Sequence, residues 1–97
     1  LKRAEAATAA AQRHMGRVAD LGCIVCLLLG LGPTPCHVHH IREGRVARND
    51  FLTIGCCAAH HTGTLASVHN AKPALLRALK VGSEFDLLAE VLRRLEK

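Results

Sequence analysis

Tryptophan and tyrosine are absent from this chain, and its aromatic content is only 2%, carried by Phe51 and Phe85. The core must therefore come from alanine, leucine and valine, which bury less area per residue than aromatics. With 97 residues there is room for one domain and a modest core. A domain so poor in aromatics gains from a metal staple. Long apolar runs are missing too. The stretch 23–31 is too short to cross a bilayer, and Gly30, Gly32 and Pro33 interrupt or end it. The alanine-rich start carries Glu5, Gln12, Arg13, His14 and Arg17, so it holds no signal-peptide core. Acidic residues are few, 8 against 13 Lys and Arg, for a formal charge of +5. That balance favours a polyanionic partner such as nucleic acid. The 5 cysteines are an odd count, which does not suit a secreted disulfide framework. They point to metal ligation in a reducing, cytoplasmic environment.

What is present is metal-ligand spacing. Cys23-Ile24-Val25-Cys26 is a Cys-x2-Cys, and Cys57-Ala58-Ala59-His60 is a Cys-x2-His. Two residues between ligands let both side chains turn back onto one ion from a knuckle or a first helical turn. Cys23, Cys26, Cys57 and His60 together suit a tetrahedral, closed, structural Zn²⁺. Cys36 and Cys56 are then spare thiols packed as small apolar residues. Any chemistry falls to the histidines left over, His39, His40 and His61.

The pattern predicts a helix over 4–21, with Ala11, Met15, Val18 and Leu21 as its apolar stripe and Gly22 as its stop. A strand is expected over 34–41, a polar loop over 42–50 and a second strand over 51–55, the two strands antiparallel. A helix should begin near Cys57, carry His60 and His61, and end at Gly63. Another is expected over 72–80, with Pro73 in its first turn. Gly82 ends it, and Ser83 with Asp86 caps a last helix whose buried stripe is read as Phe85, Leu88, Leu92 and Leu95. The fold class is α+β. The organisation is one domain over 1–97: an N-terminal helix to 21, a zinc-containing core over 22–66, and C-terminal helices over 71–96. His14 and His37 are read as surface residues.

Along a strand, neighbouring side chains point to opposite faces, so His39 and His40 cannot do the same job. Val38-His39-His40-Ile41, followed by Cys57-Ala58-Ala59-His60-His61, resembles the HNH endonucleases, whose core is a ββα-metal unit. A closer resemblance, over roughly 14–95, is to the bacteriophage recombination-enhancement (Ref) nuclease family. It rests on an ordered series: the Cys23–Cys26 pair, His39-His40-Ile41-Arg42-Glu43-Gly44, Asp50-Phe51-Leu52-Thr53-Ile54, residues 57–61, and Phe85-Asp86-Leu87-Leu88-Ala89. The Asn that typical HNH proteins carry on the second strand has no match at Leu52, although Asn49 and Asp50 are near.

The resemblance implies metal-dependent DNA cleavage, targeted by a RecA filament. It implies that His39 and His61 hold a catalytic divalent ion and that His40 is the general base. Phosphate chemistry favours Mg²⁺ or Mn²⁺ as that ion, and histidine ligands also admit Ni, Co or Zn. His69, Asn70 and Asp50 compete for a third ligand position. The implied reaction is in-line attack of water on a phosphodiester, with imidazole taking the proton and the ion stabilising phosphate charge and the leaving oxygen. Arg42, Arg45 and Arg48, in the loop after His40, are candidate phosphate contacts. The expected partners are DNA and a RecA filament, with no membrane and a monomeric state. The alternative from another class is a non-catalytic zinc module that binds nucleic acid or a recombinase filament.

Overall fold

The computed structural model describes residues 7–96. They form a small α+β domain in which a two-stranded antiparallel sheet is flanked by helices. Of the first helix as read from the sequence, residues 4–6 lie outside the described range. The rest is α1 (Ala9–Leu21), started by Thr8, whose hydroxyl accepts the Ala11 N–H at 3.1 Å. Ala11 and Val18 are its buried positions, while Met15 and Leu21 are half-buried.

Gly22 ends α1 for two separate reasons. Its φ of 92° is one that L side chains rarely adopt, and a Cβ there would lie 2.9 Å from the Thr34 carbonyl oxygen. The same carbonyl accepts the Cys23 N–H at 3.0 Å. Cys23 then caps a short helix, α2 (Ile24–Leu28), its Sγ accepting the Cys26 N–H at 3.4 Å. The spacing alone admits a knuckle or a first helical turn here; the structure has the helix.

β1 (His37–His40) and β2 (Thr53–Cys56) pair with His37 opposite Cys56, Val38 opposite Gly55, His39 opposite Ile54 and His40 opposite Thr53. Both strands differ from the expected spans. β1 starts late because Thr34 is spent on the Gly22–Cys23 turn and Pro35 has no N–H to donate. β2 starts late because Asn49 takes the next two donors: its side chain accepts the Phe51 N–H at 2.9 Å and its carbonyl the Leu52 N–H at 3.0 Å. The intervening loop holds a single 3-10 turn at Glu43–Arg45, with Gly44 and Arg45 at positive φ.

After β2 come α3 (Ala58–Thr62), α4 (Lys72–Leu79) and α5 (Glu84–Leu95). Gly63 ends α3, Pro73 sits in the first turn of α4, and Ser83 with Asp86 forms a capping box on α5, all as the sequence indicates. The stripe of α5 is a correction. Its buried positions are Glu84, Leu87, Leu88 and Val91; Phe85 and Leu95 are only partly buried and Leu92 is 40% exposed. Two overlapping apolar diagonals run along this helix, and the one that buries begins with an acid. The core joins Val18, Ile24 and Val25 to Ile41, Ile54, Cys56, Leu75, Leu87 and Val91. Cys56 is fully buried and Cys36 packs partly against that core, as spare thiols should. No helix among the described residues is long and apolar enough to cross a membrane.

Gly55 marks the tightest approach. A Cβ there would meet the Gly22 carbonyl oxygen at 2.5 Å and the Cys36 Sγ at 2.7 Å. Gly55→Ala is expected to lower unfolding free energy by about 1–3 kcal/mol through overpacking. Gly16→Ala, in α1 with nothing within 4 Å of the new methyl, is expected to raise it by about 0.5–1 kcal/mol. Urea melts of the two variants read the opposite signs directly.

Candidate metal centres

Two groups of side chains converge. The first is Cys23, Cys26, Cys57 and His60, whose donor atoms all lie within 4.8 Å of one another. α2 supplies the first pair from its cap and first turn. The end of β2 and the first turn of α3 supply the second. The Sγ atoms of Cys23, Cys26 and Cys57 stand 3.6, 3.6 and 3.2 Å from His60 Nδ1, and those of Cys26 and Cys57 are 3.8 Å apart. A tetrahedron with metal–sulfur bonds of about 2.3 Å and a metal–nitrogen bond of about 2.0–2.1 Å has edges of about 3.8 and 3.6 Å. The cluster therefore has the size of a zinc coordination shell. It is far too open for a disulfide, whose sulfurs lie about 2.05 Å apart, and all 5 cysteines are free.

The electrostatics of this cluster are uneven. Burial pushes the Cys23 thiol up to about 12. Burial also raises Cys57, but the His60 backbone N–H and the Cys26 and Cys23 side chains outweigh it and bring the thiol below its ordinary value. Thiols crowded in this way favour a cation that replaces their protons.

The second group is His39, His61 and His69. Their ring centroids lie 5.4, 4.9 and 4.6 Å apart, and the Nε2 atoms of His61 and His69 are 3.1 Å apart. Adjacent nitrogen ligands on one ion stand about 3.0 Å apart in octahedral and about 3.4 Å apart in tetrahedral geometry. Burial, followed by the fields of His69, His39 and His37, holds the His61 imidazole below its ordinary value. A neutral ring is the form that ligates metal.

His69 reaches His61 because the segment after α3 folds back along it. Val68 and His69 donate their N–H groups to the carbonyls of His60 and His61 at 3.0 and 3.1 Å. Buried Ser67 fixes the turn, donating to the Gly63 carbonyl at 2.6 Å and accepting the Asn70 N–H at 3.0 Å. Asn70 and Asp50, the rival third ligands, are engaged elsewhere: the Asn70 amide on the Thr62 carbonyl at 2.6 Å, and Asp50 on His40.

His40 stands apart from both groups. Its Nε2 is 2.8 Å from Asp50 Oδ1 and 3.4 Å from an Arg48 amino group. Arginine offers no lone pair and an ionised carboxylate no proton, so Nε2–H donates to Asp50. His39 and His40 both border a cleft of about 250 Å³, with Arg42, Glu43, Val68, His69, Lys72 and Glu84. Arg42 lies on this rim, its Nε donating to the Val46 carbonyl at 3.0 Å. Arg45 is exposed and is not among the lining residues. His37 is exposed, with its ring 5.7 Å from His61, and His14 is half-buried on Phe51.

Sequence reasoning missed the acids. Glu84 is only 4% exposed. One of its carboxylate oxygens lies 2.6 Å from His39 Nε2, and the other accepts from Lys72 Nζ at 2.9 Å. Glu43 accepts the Glu84 N–H at 3.0 Å and approaches Lys72 Nζ at 3.4 Å. Burial raises the Glu84 carboxyl, but the hydrogen bonds and charges of His39 and Lys72 bring it below the ordinary value. The missed signal was a carboxylate in phase with Leu87, Leu88 and Val91 on one helical stripe. In sequence Asp50 offers itself as a ligand or as a stand-in near the missing second-strand Asn; its pairing with His40 is visible only in the fold.

A family model described as "Recombination enhancement, RecA-dependent nuclease" matches residues 7–91. No curated protein matches the chain.

The first cluster yields a direct test. One tightly held zinc per chain is expected by elemental analysis, with Cys26→Ser abolishing it. Loss of that ion, by this variant or by a strong chelator, is expected to cost about 4 kcal/mol or more of stability, read from denaturant melts.

Proposed function

The chain belongs to the recombination-enhancement, RecA-dependent nuclease family, and on that premise we propose that it is a metal-dependent DNA endonuclease of HNH type. Residues 22–66 are its ββα-metal core, with the helix before 22 and the helices over 71–96 packed around it. Cys23, Cys26, Cys57 and His60 hold a structural Zn²⁺. His39, His61 and His69 hold an exchangeable divalent ion, Mg²⁺ or Mn²⁺. His40 is the general base.

One observation carries this reading: three imidazoles converge apart from a complete Cys3His set, and two of them, His39 and His69, line the cleft that His40 also borders. A purely structural zinc module has no use for the second group. The ion supplies charge stabilisation to the phosphate and the departing oxygen. With Nε2–H donated to Asp50, the lone pair of His40 is on Nδ1, which takes the proton from the attacking water. Asp50 fixes this tautomer and stabilises the imidazolium as it forms, the same service a carboxylate gives the base of a hydrolytic triad. Arg42 on the rim and Arg48 beside His40 bring positive charge to the phosphate, and the +5 balance of the chain draws in the duplex. The RecA filament supplies the targeting, bringing the nuclease to paired DNA.

The test is nicking of supercoiled plasmid by wild type and His40→Ala, with and without RecA and ATP. The variant is expected to lose about 10²–10⁴-fold in rate while keeping zinc and fold. Failure of the folded, zinc-loaded wild type to cut under any of these conditions would overturn the proposal in favour of a binding module. Imidazole ligands rank Mn²⁺ above the harder Mg²⁺, so half-maximal nicking is expected at a lower Mn²⁺ than Mg²⁺ concentration.

A further inference from the structure

The last helix brings a buried acid to the strand that carries His39. Glu84 opens α5, and its stripe-mates Leu87 and Val91 are fully buried. Their packing fixes the rotation of the helix and so aims the Glu84 side chain at the sheet. There its Oε1 meets His39 Nε2 at 2.6 Å, and both side chains are nearly sealed from solvent, at 7% and 5% exposure. Oε2 is held by Lys72 Nζ at 2.9 Å, from the first position of α4. The Glu84 backbone N–H is held by Glu43 at 3.0 Å. Three elements outside β1 therefore fix one carboxylate against one imidazole.

We propose that Glu84 is a positioning residue for the ion bound by His39, His61 and His69: by accepting the His39 Nε2–H it locks that ring in one tautomer and turns the Nδ1 lone pair toward the ion. The inference rests on the nuclease reading above for the existence of that ion. An isolated imidazole divides its proton between two nitrogens, and a ring with its proton on the wrong atom cannot ligate. A buried carboxylate removes the ambiguity and makes the ligating nitrogen more basic. A desolvated acid with no such task is hard to account for. Burying it costs more than leaving it in water, and an apolar side chain at this place on the stripe would pack against the core without that cost. Lys72 balances the charge of the carboxylate and occupies its second oxygen, which leaves Oε1 for the ring. The C-terminal helices thus contribute to metal binding although they contribute no ligand.

Two measurements test this. In Glu84→Met the stripe stays apolar and of similar volume, and Lys72 keeps Glu43, but His39 loses its acceptor. Mn²⁺ binding to the zinc-loaded protein, read from the electron paramagnetic resonance of free Mn²⁺, is expected to weaken about 10–100-fold, with zinc stoichiometry unchanged. His61→Ala, run beside it, removes a ligand and is expected to abolish Mn²⁺ binding. Unchanged Mn²⁺ affinity in Glu84→Met, with binding lost in His61→Ala, overturns the role of Glu84 while the ion site stands. Unchanged affinity in His61→Ala overturns the ion site itself. The second measurement needs no variant at Glu84 and so decides the matter even if that variant fails to fold. Long-range ¹⁵N–¹H spectra of the zinc-loaded wild type, before any second ion is added, are expected to give His39 as the Nε2–H tautomer. The Nδ1–H tautomer there overturns the proposal.

Discussion

Everything in this domain hangs on four donor atoms that meet within 4.8 Å. Cys23 and Cys26 come from the turn and helix that follow α1, and Cys57 and His60 from the end of the sheet and the start of α3. Around them the end of α1 lies against β2, where the Gly22 carbonyl comes so close to Gly55 that Gly55 admits no side chain, while Thr34 crowds Gly22 from its other side. Thiols crowded at one point are weak glue without a cation to replace their protons, so a cation is the natural partner of such a cluster. With two aromatics in the whole chain, no apolar core of ordinary make-up stands ready to replace it.

From that fixed point the geometry passes outward by single steps. The first turn of α3 carries His60, and the next residue is His61. The backbone bonds from Val68 and His69 to those two carbonyls lay His69 beside His61. β1 lies antiparallel to β2 and delivers His39 to the same place. Two polar anchors then hold His39 and His40 of β1, Glu84 for the first and Asp50 for the second. The histidine group is therefore a product of the cysteine group.

Much of this is legible in the sequence. Cysteine and histidine spacing marks the first cluster because two intervening residues leave few ways to turn back onto one ion. Gly22, Gly63 and Ser83 mark helix ends because their roles are local. What escaped was long-range. On α5, Phe85, Leu88, Leu92 and Leu95 make as good an apolar diagonal as the one that buries. The choice between them is made by Lys72 on the preceding helix and by His39, far away in the chain, which satisfy Glu84 and let it go inside. His69 is one of three candidates in sequence because its place depends on Ser67, an unremarkable residue there. The strand starts were misjudged where Asn49 and Thr34 divert backbone donors into turns, a competition that propensity does not describe.

The register of the two short strands has a consequence of its own. His40 faces Thr53 and His39 faces Ile54, and side chains alternate between faces at each step. A slip of one residue would carry His39 to the face now held by His40 and set His40 among the imidazoles. Composition and charge would not change, yet the two rings would have traded places and with them their partners. The sheet thus behaves like a parity check: it distinguishes odd displacements from even ones. The contact of Gly55 with the Gly22 turn is where that parity is read.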